Sequence, residues 1–233
     1  MNIRRLKTGI AHLLRRSSTP VKWHSLRKTK PVSTVFGLDR GTPVDRYYIE
    51  KFLSSNRQLI RGSVLEIAEN VYTSKFGGSQ VTRSEILHFT DDNPSATIVG
   101  DLTDPATLPG DRIDCFICTQ TFNFIYDFKK AIEGAHHLLK NDGVLLATLG
   151  GISQISRYDM DRWGDYWRFT VLSALRAFEE VFGKGNVQTA SYGNVLSSIS
   201  FLEGISVEEL TAAELDHEDP DYQMLITVIA RKK

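Results

Sequence analysis

Short, continuously apolar segments alternate with helical segments through the middle of the chain, and this alternation constrains the fold more than any other feature. Residues 115–117 ("CFI") and 144–148 ("VLLAT") are apolar on both strand faces. Strands of that kind belong to a sheet that is covered on both sides. Because crossover segments separate the strands, they are predicted to run parallel. The fold class is therefore α/β, with a single doubly wound, mostly parallel sheet.

Periodicity and turn residues predict the individual elements. Strands are expected over residues 63–68, 85–90, 96–100, 112–119, 143–149, 186–192 and 222–230. Helices are expected over 43–60, 70–76, 128–140 and 171–182, with helical material across 196–215. Asn141-Asp142-Gly143 is predicted to turn tightly into the strand that follows it.

The 233 residues contain no linker or repeat within the body, which predicts one domain over 39–233 after an arm over 1–38. No apolar run reaches the length of a bilayer, and no signal peptide is evident, so a cytoplasmic location is expected. Cys115 and Cys118 lie three residues apart in a predicted strand. They should therefore face opposite sides of the sheet, and neither a disulfide nor a metal site is predicted.

The arm is basic, although the whole chain has a formal net charge of zero. Before Asp39 there are nine basic residues and no acidic one. Apolar residues recur at helical spacing within it, namely Ile3, Leu6, Ile10, Leu13 and Leu14. This pattern is typical of a basic amphipathic helix in peripheral contact with an anionic membrane, and equally of a helix that packs on the body or on another subunit. A nucleic-acid partner is not expected, because the body is acidic and the arm lacks interleaved aromatic residues.

Polar residues follow the predicted strands at their carboxyl ends, where an open parallel sheet binds its ligands. Glu66 ends the first strand, Asp91 and Asp92 follow the second, Asp101 follows the third, and Thr119-Gln120 ends the fourth. An acid after the second strand is suited to ribose hydroxyls, and Asp101 is suited to an amino group such as that of adenine. No Lys-containing phosphate loop is present, which favours a nucleoside cofactor without a pyrophosphate.

The segments "VLEIA", "IVGDLTD", "DCFICTQTFNFIYD" and "LLKNDGVLLAT" together resemble the class I S-adenosylmethionine-dependent methyltransferases over most of 63–149. The segment "WGDYWRFT" (163–170) resembles a bacterial subset associated with glycan and natural-product pathways. The resemblance implies a seven-stranded sheet whose last strand is antiparallel, and S-adenosylmethionine as cofactor. It implies Glu66 near the methionine amino group, ribose recognition after the second strand, and a cofactor site that includes Asp101, Leu102, Thr119 and Gln120.

The first loop departs from the family pattern. Ala68, Asn70 and Tyr72 occupy the positions of the usual Gly-x-Gly-x-Gly. A nicotinamide-dependent oxidoreductase needs glycines there for its pyrophosphate, so that alternative is weakened more than a methyltransferase. An inactive scaffold or binding protein that keeps the fold remains the other alternative.

The acceptor side has two candidate regions. The loop after the fifth strand offers Trp163, Asp165, Tyr166 and Arg168, and the segment "DRGTPVDRYY" offers Arg40, Asp45, Arg46 and Tyr47. Tyr192 and Asn194 join the site if the sixth strand is parallel. Packing and surface ion pairs are the structural alternatives for these side chains. The expected reaction is methyl transfer to an oxygen of a sugar-like or other polar small-molecule or glycan acceptor, with Asp165, Tyr47 or Asp45 as the general base.

Overall fold

The computed structural model describes residues 26–233. The chain divides into two units between Pro31 and Val32, and the second unit contains the sheet. The helical pattern of the basic arm, Ile3 to Leu14, lies outside the described residues, as do Arg4, Arg5, Lys7, Arg15, Arg16 and Lys22.

Seven strands form one sheet in the order β3-β2-β1-β4-β5-β7-β6. The strands are β1 (Gly62–Ile67), β2 (Val81–His88), β3 (Ile98–Val99), β4 (Ile113–Thr119), β5 (Leu139–Gly150), β6 (Val187–Tyr192) and β7 (Leu225–Arg231). β7 is antiparallel to both of its neighbours, and the pairs from β3 to β5 are parallel. The predicted fold class, including the antiparallel last strand, is confirmed.

Among the described residues, one α-helix precedes β1, and the other α-helices lie between β4 and β7 along the chain. They are α1 (Val44–Ser55), α2 (Phe128–Leu138), α3 (Arg157–Met160), α4 (Val171–Phe182), α5 (Val195–Glu203) and α6 (Ala212–Asp216). Single-turn segments are Arg57–Leu59, Thr73–Gly77, Gly78–Gln80, Pro105–Thr107, Phe122–Phe124 and Val207–Glu209. Among the described residues, no helix is both long and apolar enough to span a membrane.

The sheet is covered on both faces, as its apolar strands predict. One core contains residues of α2 and α4, and the other contains residues of α1 and α5. Cys118 belongs to the first core and Cys115 to the second, so the two thiols do face opposite sides. Both are buried and unbridged, and within residues 26–233 no group of side chains is arranged to hold a metal ion.

The turn predicted at 141–143 lies inside a strand instead. α2 ends at Leu138, and β5 has already begun at Leu139, which pairs with Ile113 of β4. Lys140 is held extended because its ammonium group lies 2.8 Å from the Asp114 carboxylate. Asp142 takes up the bend with a positive φ of 64°. The contacts of Leu139 and Lys140 are made with β4, which is distant in sequence, so the turn residues alone could not predict them.

Candidate active site

The carboxyl ends of the parallel strands bring the loops after β1, β2, β3, β4 and β5 to one edge of the sheet. β6 runs in the same direction as β5, because both are antiparallel to β7. However, β6 is the last strand in the sheet order, beyond β7. The loop after β6 therefore shares the edge with the other loops but lies at the far end of the sheet.

The loop after β1 is held by Glu66. Its carboxylate is buried and accepts the backbone N–H groups of Tyr72 and Thr73, at 3.0 and 2.6 Å. Burial raises the pKa of Glu66, and the hydrogen bonds from Thr73 and Tyr72 oppose that rise. Glu66 thus positions the loop itself, and each of its oxygens keeps a second lone pair for a ligand.

Among the three residues in glycine positions, Ala68 alone has a left-handed backbone, with φ at 63°. This conformation costs an L-residue roughly 1–2 kcal/mol, and glycine would adopt it freely. The loop around Ala68 is tied to its neighbours: its carbonyl accepts the Asn93 amide at 2.8 Å, and its N–H donates to the Leu87 carbonyl at 2.9 Å. Asn70 instead donates to the Ser84 hydroxyl, and the ring of Tyr72 stacks on Phe76.

The loops after β2 and β3 carry the other predicted cofactor residues. Asp91 is exposed, whereas Asp92 lies 3.3 Å from the imidazole of His88. Asp101 is half-buried and accepts the N–H of Thr103 through one carboxylate oxygen, at 2.8 Å. Leu102 is buried under α2, where a Cβ added to Gly134 would lie 2.0 Å from the Leu102 carbonyl. The Asp101 loop is therefore fixed by close packing.

The loop after β4 contains a residue that the sequence interpretation omitted. Thr119 ends the strand, and Gln120 turns the chain with a φ of 49°. Three residues on, the Asn123 side chain is only 4% exposed, and its Oδ1 has no hydrogen-bond partner among the described residues. The Asn123 carbonyl accepts the N–H groups of Tyr166 and Trp167, which anchors the loop after β5. A buried amide oxygen without a partner is rare and points to a ligand.

A cavity of about 180 Å³ opens beside these strand ends. Polar side chains from α1 and from the loops after β4 and β5 share its wall with a few apolar ones. Its lining includes Asp45, Arg46, Gln120, Asn123, Gly150, Ser153, Asp165 and Arg168, together with the apolar residues Phe36, Phe124, Phe201 and Met224. The structure thus brings together five of the sequence-predicted residues from three separate segments: Asp45, Arg46, Gln120, Asp165 and Arg168.

Of the two cavity carboxylates that have no ion pair within residues 26–233, Asp159 accepts the Ser156 hydroxyl, and Asp45 lies in the first turn of α1. Its hydrogen bond comes from the backbone N–H of Arg46, at 2.9 Å. Burial raises the pKa of Asp45 to about 6, against the opposing charge of Arg46. Near neutral pH such a group is mostly ionised and still basic enough to accept a proton.

Asp165, the other predicted base in this cavity, is arranged differently. Its side chain is 1% exposed and is bound by both guanidinium nitrogens of Arg168, at 2.5 and 3.0 Å. The N–H of Ser156 donates to the same carboxylate at 3.0 Å. These three hydrogen bonds engage both carboxylate oxygens, so Asp165 and Arg168 hold the loop together.

Four further candidates lie away from the cavity wall. The Tyr47 hydroxyl donates to Asp216 at 2.8 Å, and Arg40 pairs with Glu209. Tyr192 stacks on Tyr48, with ring centroids 5.5 Å apart. Asn194 caps α5 and donates to two backbone carbonyls, at Glu214 and His217. These side chains have structural partners, so the packing alternative fits them better.

The two remaining aromatic candidates lie on the exposed loop after β5. Trp163 contacts Phe89 at the end of β2, with ring centroids 6.2 Å apart, and Tyr166 packs on Tyr126. Trp163 therefore joins the loop after β5 to the loop after β2 across the carboxyl edge of the sheet.

Solved structures share this architecture. A methyltransferase from Archaeoglobus fulgidus is 11% identical, with 80% of this chain and 94% of that chain covered and a TM-score of 0.52. One from Mesorhizobium loti is 15% identical, with 84% and 100% covered and a TM-score of 0.51. A protein from Bordetella parapertussis, described as a possible exported protein, is 11% identical, with 97% and 78% covered and a TM-score of 0.53. Together with the strand-end site, these likenesses define the Rossmann-like methyltransferase fold.

The family comparison is more specific. Residues 62–147 match the model described as a methyltransferase domain, whereas no curated protein matches the chain in sequence. The matched segment begins at β1 and ends within β5, and its likeness to a methyltransferase domain indicates S-adenosylmethionine as the cofactor.

The residues present fit this cofactor. Ala68 keeps a left-handed first turn with no side chain beyond Cβ, and S-adenosylmethionine has no pyrophosphate that would require glycine there. Acidic residues stand after β1, β2 and β3, at Glu66, Asp91 and Asp101, where amino and hydroxyl groups need acceptors.

Proposed function

We propose that the chain methylates an oxygen of a sugar-like or other polar small-molecule or glycan acceptor, with Asp45 as general base. One observation carries the proposal: an ionisable, unpaired carboxylate with a pKa of about 6 lines the cavity beside the cofactor edge. Asp45 accepts the proton that the acceptor hydroxyl loses as its oxygen is methylated.

The lining supports a polar acceptor that carries several hydroxyl groups. The Asp45 carboxylate, the Asn123 amide and the Gln120 amide place hydrogen-bond acceptors along one cavity. Phe36 and Phe124 add apolar surface, on which the carbon face of a ring would pack. A wall of this kind suits a compact ring with several donor groups.

Bound S-adenosylmethionine supplies an activated methyl group, so the chain's main contribution is positioning. Asp101, on its packed loop, is the proposed acceptor for the adenine amino group. Asp91 is the proposed ribose contact, and Glu66 with the loop of Ala68, Asn70 and Tyr72 encloses the methionine end. Thr119 and Gln120 separate that loop from the acceptor cavity.

Calorimetry with S-adenosylmethionine and S-adenosylhomocysteine tests the cofactor site. Asp101→Ala should weaken both affinities at least tenfold, whereas Asp104→Ala, three residues further along the same loop, should change them little. Failure of the wild-type protein to bind either compound would contradict the proposal.

Turnover tests the reaction. Incubation with radiolabelled cofactor and a panel of sugars, cyclitols and their phosphates should label an acceptor through oxygen, as product mass spectrometry and NMR would report. Cofactor binding without turnover on any acceptor of the panel would favour the scaffold alternative.

A cytoplasmic location, with peripheral contact to the inner membrane face through the basic arm, is a separate proposal that rests on composition. Flotation with phosphatidylglycerol vesicles tests it. Replacement of Arg4, Arg5 and Lys7 by Gln should release the protein if the contact is electrostatic.

A further inference from the structure

Helix α5 has its polarity reversed. Its buried positions include three serines, Ser197, Ser198 and Ser200, each at most 4% exposed. Its aliphatic residues face outward: Val195, Leu196, Ile199 and Leu202 are 37–47% exposed. A surface helix normally buries its apolar side and exposes its polar side. The outward stripe, residues 195, 196, 199 and 202, is one helix face that is built for a contact.

The stripe continues beyond the helix at both ends. At its amino end, Val195 and Leu196 line a shallow depression with Ala213 and Glu214. At its carboxyl end, the backbone N–H groups of Val32 and Ser33 donate to the Glu203 carbonyl, which places the exposed side chain of Val32 nearby. Contiguous apolar surface of this kind marks interaction sites.

The charge around the stripe is strongly negative. Residues 185–230 contain eight acidic residues and no Lys or Arg; the acids are Glu203, Glu208, Glu209, Glu214, Asp216, Glu218, Asp219 and Asp221. Two cations from elsewhere pair with three of them: Arg40 with Glu209, and Lys51 with Asp216 and Glu218. Glu214 and Asp219 line the depression directly.

This negative charge decides which kind of partner surface fits the apolar stripe. An anionic membrane surface is repelled by the acidic surroundings. A second copy of the chain that presented this same surface would bring one acidic segment against another. A helix with an apolar face and basic flanks satisfies both the stripe and its surroundings.

We propose that α5 is the docking surface for a basic amphipathic helix of a partner protein, with Ile199 at the centre of the contact. Val195, Leu196 and Leu202 take the partner's apolar residues, and Glu214 and Asp219 take its Lys or Arg side chains. This surface is separate from the cavity that Asp45 lines.

Fluorescence anisotropy with the full chain and a labelled, helical Leu/Lys peptide tests the proposal. The peptide should bind, and Ile199→Glu should weaken binding at least tenfold. Leu172→Glu, at a leucine of α4 that is 58% exposed, is the matched control and should have no effect. Glu214→Gln, which retains a side-chain oxygen to accept the Thr211 N–H, should weaken binding by a smaller factor and reduce its salt dependence.

A peptide of the same composition with its leucines scattered around the helix should bind less tightly. Equal binding of both peptides, or binding that Ile199→Glu leaves unchanged, would overturn the proposal. Sedimentation of the chain alone would also overturn it by revealing a dimer that Ile199→Glu dissociates. Flotation with anionic vesicles that Ile199→Glu abolishes would assign the stripe to a membrane instead.

Discussion

Asp45 and Asp165, two of the three aspartates that line the cavity, have different electrostatic surroundings. Asp165 is bound by the guanidinium of Arg168 and by a backbone N–H. Asp45 accepts the backbone N–H of Arg46, whose exposed guanidinium forms no hydrogen bond with it. Desolvation without compensation makes a carboxylate basic, and compensation removes that property. The proposed proton acceptor, Asp45, therefore differs from Asp165 in its neighbours, since both residues have the same side chain.

Asp45→Asn tests this assignment. The wild-type kcat/KM should rise with pH and level off above an apparent pKa of about 6, because the protonated carboxyl cannot accept a proton. The variant should lose about 10²–10⁴-fold in kcat, as is typical for a general base, and lose the pH dependence. Asp161→Asn, on the exposed loop, is the control. A variant with an unchanged pH profile would assign the base elsewhere.

Asn123→Leu should separate stability from function. Removal of a buried amide oxygen that has no partner should raise the free energy of unfolding by about 1–3 kcal/mol, or raise the midpoint by a few degrees. Acceptor turnover should fall while the affinity for S-adenosylhomocysteine stays within about threefold. A destabilised variant would mean that the amide has a structural role.

Among the elements, the β1 loop contains one of the non-glycine residues that have a left-handed backbone, Ala68. Ala68→Val should destabilise the protein by about 1–2 kcal/mol and weaken S-adenosylmethionine binding, since a β-branched residue is strained there. Ala68→Gly should remain within about 1 kcal/mol of wild type, because relief of strain is offset by greater unfolded-chain entropy. Ala106→Val is the control. Chemical denaturation and calorimetry measure both effects. Equal stability and affinity of the Val and Gly variants would show that the backbone at Ala68 is not strained.

The loop after β5 is fastened by the Asp165–Arg168 pair. Arg168→Met leaves a carboxylate that is 1% exposed without its cation and should cost about 2–3 kcal/mol, less than a fully buried pair because Arg168 is partly exposed. The double variant Asp165→Asn with Arg168→Met should recover part of that loss. Urea titrations of all four proteins measure the coupling free energy, and a value near zero would remove the pair from the loop's stability.

At the scale of the whole molecule, carboxylates with opposite pKa shifts set the pH of maximum stability. Burial would raise the pKa of Glu85, but the Thr97 hydrogen bond and the Arg112 ion pair lower it overall from 4.5, so its contribution is lost as pH falls. The pKa of Asp45 is raised to about 6, so its contribution is present at low pH and is lost as pH rises through about 6. From these two groups, stability should be highest near pH 4.5 and should fall between about pH 4.5 and 6.

Unfolding free energies from pH 3 to 9 test that maximum. Glu85→Gln should flatten the acidic side of the curve, and Asp45→Asn should flatten the fall between about pH 4.5 and 6. A wild-type curve that increases steadily to pH 9 would show that Asp45 is better solvated than the structure indicates.

Apolar strands and crossover segments predicted a mostly parallel sheet that is covered on both faces, and the resemblance to class I methyltransferases supplied its antiparallel last strand. The sequence also placed Asp45, Arg46, Gln120 and Arg168 among the candidates that line the cavity. It could not separate Asp45 from Asp165, since that distinction rests on Arg168 and Ser156 geometry. Asn123 was missed because burial of a single amide leaves no periodic signal, although its position four residues after Thr119 was available as a clue.

The Asp165–Arg168 fastening also bears on how this enzyme could change its acceptor. Ser156 and Asp165 are joined by a hydrogen bond, so the eight residues between them form a loop whose two ends are already held together. Lengthening a loop with fixed ends costs only about 0.6 kcal/mol per doubling. Insertions within 157–164 should therefore be tolerated while the sheet and the cofactor edge stay intact. In a library of variants, new acceptor preferences should arise first in the loop 157–164.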